Sequence, residues 1–241
     1  LSVTAGPMIG GRFEDKKLGA CSDCRGMWNE FRGGAIDTET LDQVQGELFP
    51  SAGHCMVMGT ASTMASITEA LGMMLPGLAA IPAPNSKRLR LAEESGRRIV
   101  EMVEEGLTPD KIMTREAFEN AIRVLMAVGG STNAVVHLPA IAGRLGIELP
   151  LSLFDELSRT TPHITGVRPS GGNFLMEDLA AAGGIAAVMK ELEPLLNGGA
   201  MTITGKTVTE NLAGVKGAQP WQEVIHPREN PIAPEGGLVI L

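Results

Sequence analysis

Between residues 86 and 157, apolar residues recur at three- and four-residue steps, and Gly or Pro interrupts the pattern at short intervals. This rhythm predicts a packed set of short amphipathic helices. Residues 86–105 place Leu89, Ala92, Gly96, Ile99 and Val103 on one helical face, with Gly106 as a stop signal. Thr108-Pro109-Asp110 has the form of a cap followed by Pro at the first helical position. Thr114 opens a helix with the stripe Phe118, Ala121, Ile122 and Leu125, which Gly129-Gly130 ends. A further helix is predicted over 133–145, with Ala134, Leu138, Ile141 and Leu145 on one side, and a short one over 152–157.

On either side of this stretch the pattern changes. Residues 60–74, rich in Ala, Met and Leu, read as a helix ending before Pro76-Gly77. Residues 176–196 read as mostly helical, broken or bent at Gly183-Gly184. The first 54 residues are rich in Gly and charge, and their periodicity is weak. There we expect the end of a strand at 3–5, a loop at 6–11, and a short helix over 38–45 capped by Asp37 or Thr38. Residues 201–204 alternate like a strand before a Gly205-Lys206 turn, and 216–235, rich in Pro and charge, read as a linker. Residues 236–241 are an apolar run expected to be a strand. With a start at Leu1 rather than Met, both ends suggest an internal stretch of a longer protein.

Composition excludes several function classes. At 44% hydrophobic residues, 241 positions suffice for a real core. No run approaches the roughly 18 apolar residues of a membrane span, and no basic-then-apolar segment opens the chain. A net charge of −8, 3% aromatics and no Tyr argue against a nucleic-acid interface. Three cysteines in a chain of this length do not make a secreted disulfide scaffold. A cytoplasmic protein without nucleic-acid or membrane partners is the expectation.

Three segments carry candidate chemistry. Cys21-Ser-Asp-Cys24 with the later Cys55 offers three thiols for an iron–sulfur cluster or, with His54, a zinc ion. The alternative is that these are small core residues. Gly129-Gly-Ser-Thr-Asn133, just before a predicted helix, is able to present backbone N–H groups to an anion, or is a tight turn with Ser131 or Thr132 as the cap. His137 falls on the same helix face as Asn133. Met58-Gly-Thr-Ala-Ser-Thr-Met64 opens a helix after Cys55, and a helix N-terminus beside a thiol favours the ligating thiolate; the alternative is close packing through small residues. Glu47, His163, Glu177 and Asp178 read as surface or structural groups, and the 13 methionines as core filler.

Taken in order, these pieces resemble the dihydroxy-acid and sugar-acid dehydratase family, which includes phosphogluconate dehydratase. The matching residues are Gly6-Pro-Met8, Gly46-Glu-Leu-Phe-Pro-Ser51, Cys55-x-x-Met-Gly-Thr-Ala-Ser-Thr-Met64 and Glu69-Ala-Leu-Gly-Met73, then Ala117-Phe-Glu-Asn-Ala121, Gly129-Gly-Ser-Thr-Asn133 with His137-Leu138, and Ala182-Gly-Gly184. The likeness covers nearly the whole chain and is weakest after Thr209.

The resemblance implies a helix-rich α/β fold: the later part of the α/β N-terminal domain of a two-domain dehydratase, over 1–215. Residues 216–241 would then be a linker and first strand leading into a β-barrel-like domain. It implies a hydro-lyase converting a 2,3-dihydroxy acid to a 2-keto acid, with a [2Fe–2S] cluster, or a [4Fe–4S] cluster, and Mg²⁺ polarising the departing hydroxyl. The substrate would belong to sugar-acid (aldonate) or branched-chain amino-acid metabolism, and Met58-Gly-Thr-Ala-Ser-Thr looks more like the sugar-acid branch. Cys55 occupies one cluster-cysteine position; Cys21 and Cys24 match neither of the others. Ser131, Thr132 and Asn133 are expected near the substrate. The family's Cys-Asp-Lys motif would precede Leu1, and its base serine would follow Leu241. The chain alone is therefore expected to be inactive, and the full protein to be a homodimer or homotetramer. Two other readings remain open: a non-catalytic truncated paralogue, and a small metal-binding protein using Cys21, Cys24 and Cys55.

Overall fold

The computed structural model describes residues 1–240, with Cys21 described in its backbone only. A hairpin comes first: strands β1 (Gly11–Phe13) and β2 (Lys16–Leu18) pair antiparallel with Gly11 opposite Leu18. Helices follow: α1 (Ala20–Arg32), α2 (Thr38–Glu47), α3 (Thr60–Ala70), α4 (Ser86–Glu104), α5 (Pro109–Ile112) and α6 (Arg115–Ala127). After them come α7 (Ala134–Gly143), α8 (Leu151–Arg159), α9 (Met176–Ala181), α10 (Gly184–Glu191), a 3₁₀ turn (Glu193–Leu195) and α11 (Val208–Leu212). The fold is helix-rich α/β with one two-stranded sheet. Among the described residues no helix is long and apolar enough to cross a membrane.

Local chemistry sets the helix starts. The Asp37 carboxylate accepts from the Thr40 amide at 2.8 Å, and Thr114 caps α6 through the Ala117 amide. Thr108 and Pro109 begin α5 as their order predicts. The break at Gly183-Gly184 separates α9 from α10.

Helix α6 is the centre. Phe118, Ala121, Ile122, Val124, Leu125 and Met126 are fully buried. Helix α3 crosses it, α9 and α10 add Leu179, Ile185 and Val188 on one side, and α8 adds Phe154 and Leu157 on the other. Glu69 on α3 is buried in this interior, where its carboxylate accepts from the amides of Gly77 at 2.7 Å and Ala79 at 2.9 Å. Desolvation pushes its pKa up to about 7, against the lowering effect of those amide hydrogen bonds.

Several expectations are corrected. The helix predicted over 60–74 ends at Ala70. No strand forms at 3–5. At 201–204 the backbone makes one bridge, Met201 to Thr207, around a turn instead of a strand. The hairpin and α1 lacked a sequence signal: three-residue strands show too little alternation, and α1 starts after Gly19 with no side-chain cap. Residues 236–240 form no strand either. Their amides go to helix ends, Gly236 to the Ser158 carbonyl at 2.8 Å and Gly237 to the Met126 carbonyl at 2.9 Å. Leu241 lies outside the described residues. The stripe Leu89, Ala92, Gly96, Ile99 and Val103 turns away from the body, and α4 instead buries Arg88, Ser95 and Met102.

Candidate functional site

The site is built on the segment from Gly53 to α3. Residues 53–55 run beside the Gly6-Pro7-Met8 loop: the Met8 amide donates to the His54 carbonyl at 2.8 Å, and the His54 amide donates to the Gly6 carbonyl at 2.9 Å. Cys55 follows, half-buried against Met8, Ala20, Met56, Val57 and Leu175. The Ser62 hydroxyl, one turn into α3, lies 2.8 Å from the Val57 carbonyl and 3.3 Å from that of Cys55. His54 Nδ1 sits 3.1 Å from the Cys55 carbonyl, which assigns the proton to Nδ1. His54 Nε2 is then a buried lone pair for which the structure shows no hydrogen-bond partner. Burial holds the His54 pKa below the ordinary imidazole value and the Arg88 charge adds to this, while the hydrogen bond to Cys55 opposes both.

Cys55 does not itself open the helix. Gly59 is the N-cap and α3 begins at Thr60, so residues 56–59 stand between the thiol and the first helical residue. Within that turn the Met58 amide donates to the Arg168 carbonyl at 2.8 Å, and Arg168 also pairs with Asp23 of α1 at 2.8 Å. The Arg168–Asp23 pair borders an open cavity of about 500 Å³, also lined by Phe13, Lys16, Lys17 and Met27.

The first turn of α3 is joined to the second candidate segment. Thr60 Oγ1 lies 3.1 Å from Ser131 Oγ and accepts from Asn133 Nδ2 at 2.7 Å, and Thr63 Oγ1 accepts from the Ser131 amide at 2.9 Å. The glycine pair makes this approach feasible. Gly129 has φ +56°, and a Cβ on Gly130 would lie 2.8 Å from Thr63 Cγ2. The turn hands no row of amides to an anion; of the two readings the sequence offered, the tight turn is the one formed. The Gly129 and Gly130 amides go to the Met126 and Leu125 carbonyls, that of Ser131 to Thr63, and that of Asn133 to Ser131 Oγ. Asn133, not Ser131 or Thr132, is the N-cap residue of α7. The Thr132, Asn133 and His137 side chains are exposed.

The structure thus brings Ser131 and Asn133 onto the helix turn whose Ser62 reaches the Cys55 carbonyl. It does not bring the Cys24 and Cys55 thiols together. Cys24, on α1, packs against Leu18, Val44 and Leu48, a different cluster from that around Cys55. The side chain of Cys21 lies outside the described residues. Among the described residues no three His, Cys, Asp or Glu side chains converge to hold a metal ion. These residues therefore do not compose a complete cluster or Mg²⁺ site; what they offer such a group is the Cys55 thiol. Glu177 and Asp178, read as surface groups, pair with Lys17 at 2.7 and 2.8 Å. His163, of the same class, is buried with Nε2 against the Gly129 turn.

Sequence reasoning missed Arg168 and Asp23. Asp23 stood between the two cysteines of the C-x-x-C pair, and Arg168 before the Pro169-Ser-Gly-Gly172 turn. Neither spacing reveals that the two side chains meet.

The family model described as dihydroxy-acid/6-phosphogluconate dehydratase N-terminal matches residues 1–211. The chain belongs to this family. A dihydroxy-acid dehydratase of Methanococcoides burtonii is 50% identical over 241 residues, covering 99% of this chain and 43% of the relative. One from Ignicoccus hospitalis is 53% identical over 206 residues, 85% of this chain and 37% of the relative. One from a Geobacter species is 44% identical over 240 residues, 99% and 43% respectively. The chain spans less than half the length of these dehydratase relatives. Neither alternative reading gains support: Cys24 and Cys55 pack in separate clusters, and these relatives are named as enzymes.

Proposed function

We propose that this chain works within a polypeptide of its relatives' length, as part of a hydro-lyase that removes water from a 2,3-dihydroxy acid to give a 2-keto acid. The observation that carries this reading is 50% identity, along the whole chain, to a protein named dihydroxy-acid dehydratase. The geometry is consistent with it, since Ser62 and Thr60 on one helix turn reach the Cys55 carbonyl and the 129–133 turn respectively. Cys55 supplies one thiolate to an iron–sulfur cluster whose other ligands, and the Mg²⁺ ligands, come from outside these 241 residues. Such a group, when bound, supplies Lewis acidity at the departing hydroxyl.

The chain's own residues hold and shape. The Gly6-Pro-Met8 loop and Ser62 fix the backbone on both sides of Cys55. Thr132 and Asn133 present a hydroxyl and an amide, donors and acceptors suited to a polyhydroxy acid. Residues 216–240 lead towards a β-barrel-like domain. Both substrate branches fit: the relatives' names point to a dihydroxy acid, and Met58-Gly-Thr-Ala-Ser-Thr to a sugar acid.

The test uses a polypeptide of the relatives' length that contains this chain. Iron content, visible absorbance and turnover of an aldonate and of 2,3-dihydroxy-3-methylbutanoate are measured before and after Cys55→Ser. We expect loss of absorbance and turnover together in the variant, and the wild type's preferred substrate names the branch. Full absorbance and activity in Cys55→Ser would remove the cysteine from the reading. A wild type that dehydrates neither acid would remove the reaction.

A further inference from the structure

Arg88 is a buried cation held by carbonyls alone. It lies in the first turn of α4 and is 5% exposed. Its Nε donates to the Ile81 carbonyl at 3.0 Å, and Nη1 to that of Thr4 at 2.5 Å. Nη2 donates to the Leu78 and Ile81 carbonyls at 2.8 and 2.6 Å. Burial lowers its pKa, and among the described residues no neighbouring acid raises it. Burying a guanidinium without an acid is expensive. A neutral amide would satisfy a carbonyl at less cost, but only the rigid fork of an arginine reaches three carbonyls from different directions.

Those carbonyls belong to two segments. Leu78 and Ile81 precede α4, whereas Thr4 begins the strip that runs beside Cys55. Gly6 closes the packing between them. It has φ +85°, and a Cβ there would lie 2.5 Å from Arg88 Cζ, so the guanidinium rests against the backbone of the strip. Pro7 is tied to the same side, its carbonyl accepting from the Ala83 amide at 2.8 Å.

From Gly6 the path to the thiol is short. The backbones of Gly6 and Met8 are bonded to the two sides of His54, the residue before Cys55. The fit is tight here too, because a Cβ on Gly53, at φ +129°, would lie 2.6 Å from the Met8 nitrogen. Met8 then packs in the cluster that Cys55 joins. The Arg88 charge also reaches His54, where it adds to the larger effect of burial in holding the imidazole below its ordinary pKa.

We infer that Arg88 is a positioning residue for Cys55. By holding Thr4 and packing on Gly6 it sets where the 4–8 strip lies, and the paired His54 backbone carries that placement to the thiol. Arg88 acts through the backbone and not by contact with a reacting atom. Its effect on a cluster rests on the proposed function; its effect on the presentation of Cys55 does not.

The test uses a polypeptide of the relatives' length that contains this chain, before iron is loaded. Alkylation by iodoacetamide is followed at Cys55 and Cys24 by peptide mapping. Both thiols are half-buried but lie in separate clusters, so Cys24 reports general loosening and the ratio of the two rates reports the strip. Arg88→Met is expected to raise the Cys55-to-Cys24 ratio roughly tenfold, which corresponds to losing about 1.4 kcal/mol of local hold. Arg88→Lys, which keeps the charge and three donors, is expected to fall between Arg88→Met and wild type. Gly6→Ala, which disturbs the same contact with Arg88 in place, is expected to raise the ratio as well. Should Arg88→Met fail to fold, Arg88→Lys and Gly6→Ala decide. An unchanged ratio, or a rise shared equally by both cysteines, would overturn the inference. After iron loading, removal of iron by a chelator is expected to be faster in Arg88→Met than in wild type, with Arg88→Lys between them. Equal rates would overturn the link to the cluster. If Cys55→Ser keeps its iron, the proposed function fails, while the alkylation ratio still decides whether Arg88 positions the thiol.

Discussion

Helices α4 and α6 carry apolar stripes that look alike in the sequence and are used in opposite ways. In α6 the stripe of Phe118, Ala121, Ile122 and Leu125 is fully buried, and so are Val124 and Met126 on its other sides. In α4 the stripe faces out, and Arg88, Ser95 and Met102 are buried. The polar members of that inner side are satisfied locally. The Arg88 guanidinium donates to the carbonyls of Thr4, Leu78 and Ile81, and Ser95 Oγ donates to the Leu91 carbonyl at 2.7 Å. Even the buried Asn120 of α6 is paired, with both its oxygen and its nitrogen bonded to the Asn197 backbone. A polar side chain can therefore face inward wherever stray carbonyls and amides replace its water. Periodicity names a face; the neighbours decide what that face meets.

The most direct way to break this comparison is to truncate each stripe and measure chemical unfolding at low protein concentration. Phe118→Ala is expected to cost about 3–5 kcal/mol, and Leu89→Ala to fall within about 0.5 kcal/mol of wild type. Equal losses would show that α4 is as buried as α6.

A pH series sharpens the contrast, because the interior beside α6 contains an ionisable group. Glu69 has a folded pKa of about 7, above its ordinary value of 4.5. The folded state therefore holds the proton more tightly than the unfolded one, and stability falls as pH rises from about 4.5 through 7, by roughly 3 kcal/mol at most. Thermal unfolding should give a higher Tm at pH 5 than at pH 8. Glu69→Gln should flatten that dependence while weakening one of the amide contacts. An unchanged slope in the variant would assign the effect to other groups.

Smaller effects are expected at the glycines that end or interrupt the two helices. Gly130→Ala, just beyond α6, puts a methyl against Thr63 and Leu125 and should destabilise by about 1–3 kcal/mol. Gly96→Ala, within α4, meets nothing and should stabilise the monomer by up to about 1 kcal/mol. If both were neutral in urea unfolding, the distinction between a glycine needed inside the chain and one not needed there would fail.

Much of the chain was legible beforehand, for reasons visible in particular residues. Asp37, Thr108-Pro109, Thr114 and Gly183-Gly184 act through their immediate neighbours, so capping and breaking could be read directly. The hairpin over 11–18 could not, because three-residue strands show too little alternation, and neither could the irregular course of 236–240, which is set by partners far along the chain. The site divides in the same way. Cys55, Ser131, Thr132 and Asn133 were identifiable as candidates from residue type and order. The ties of Thr60 and Thr63 to Ser131 and Asn133, the pairing of Arg168 with Asp23, and the use of the 129–131 amides inside the fold were not. The ties to Thr60 and Thr63 and the Arg168–Asp23 pair join residues 68 to 145 positions apart.

By itself, then, the sequence determined where several of the helices begin or break, which residues share a face, and which dehydratase family the chain resembles. These depend on backbone geometry and residue order, which act over a few positions or are compared position by position. Only the tertiary structure decided that α6 is enclosed while α4 shows its apolar side, that Cys24 and Cys55 lie in different clusters, and that the Gly129 turn is fastened to α3. Burial and hydrogen-bond pairing belong to the assembled interior, where the partner that satisfies a group is chosen by three-dimensional proximity and not by distance along the chain.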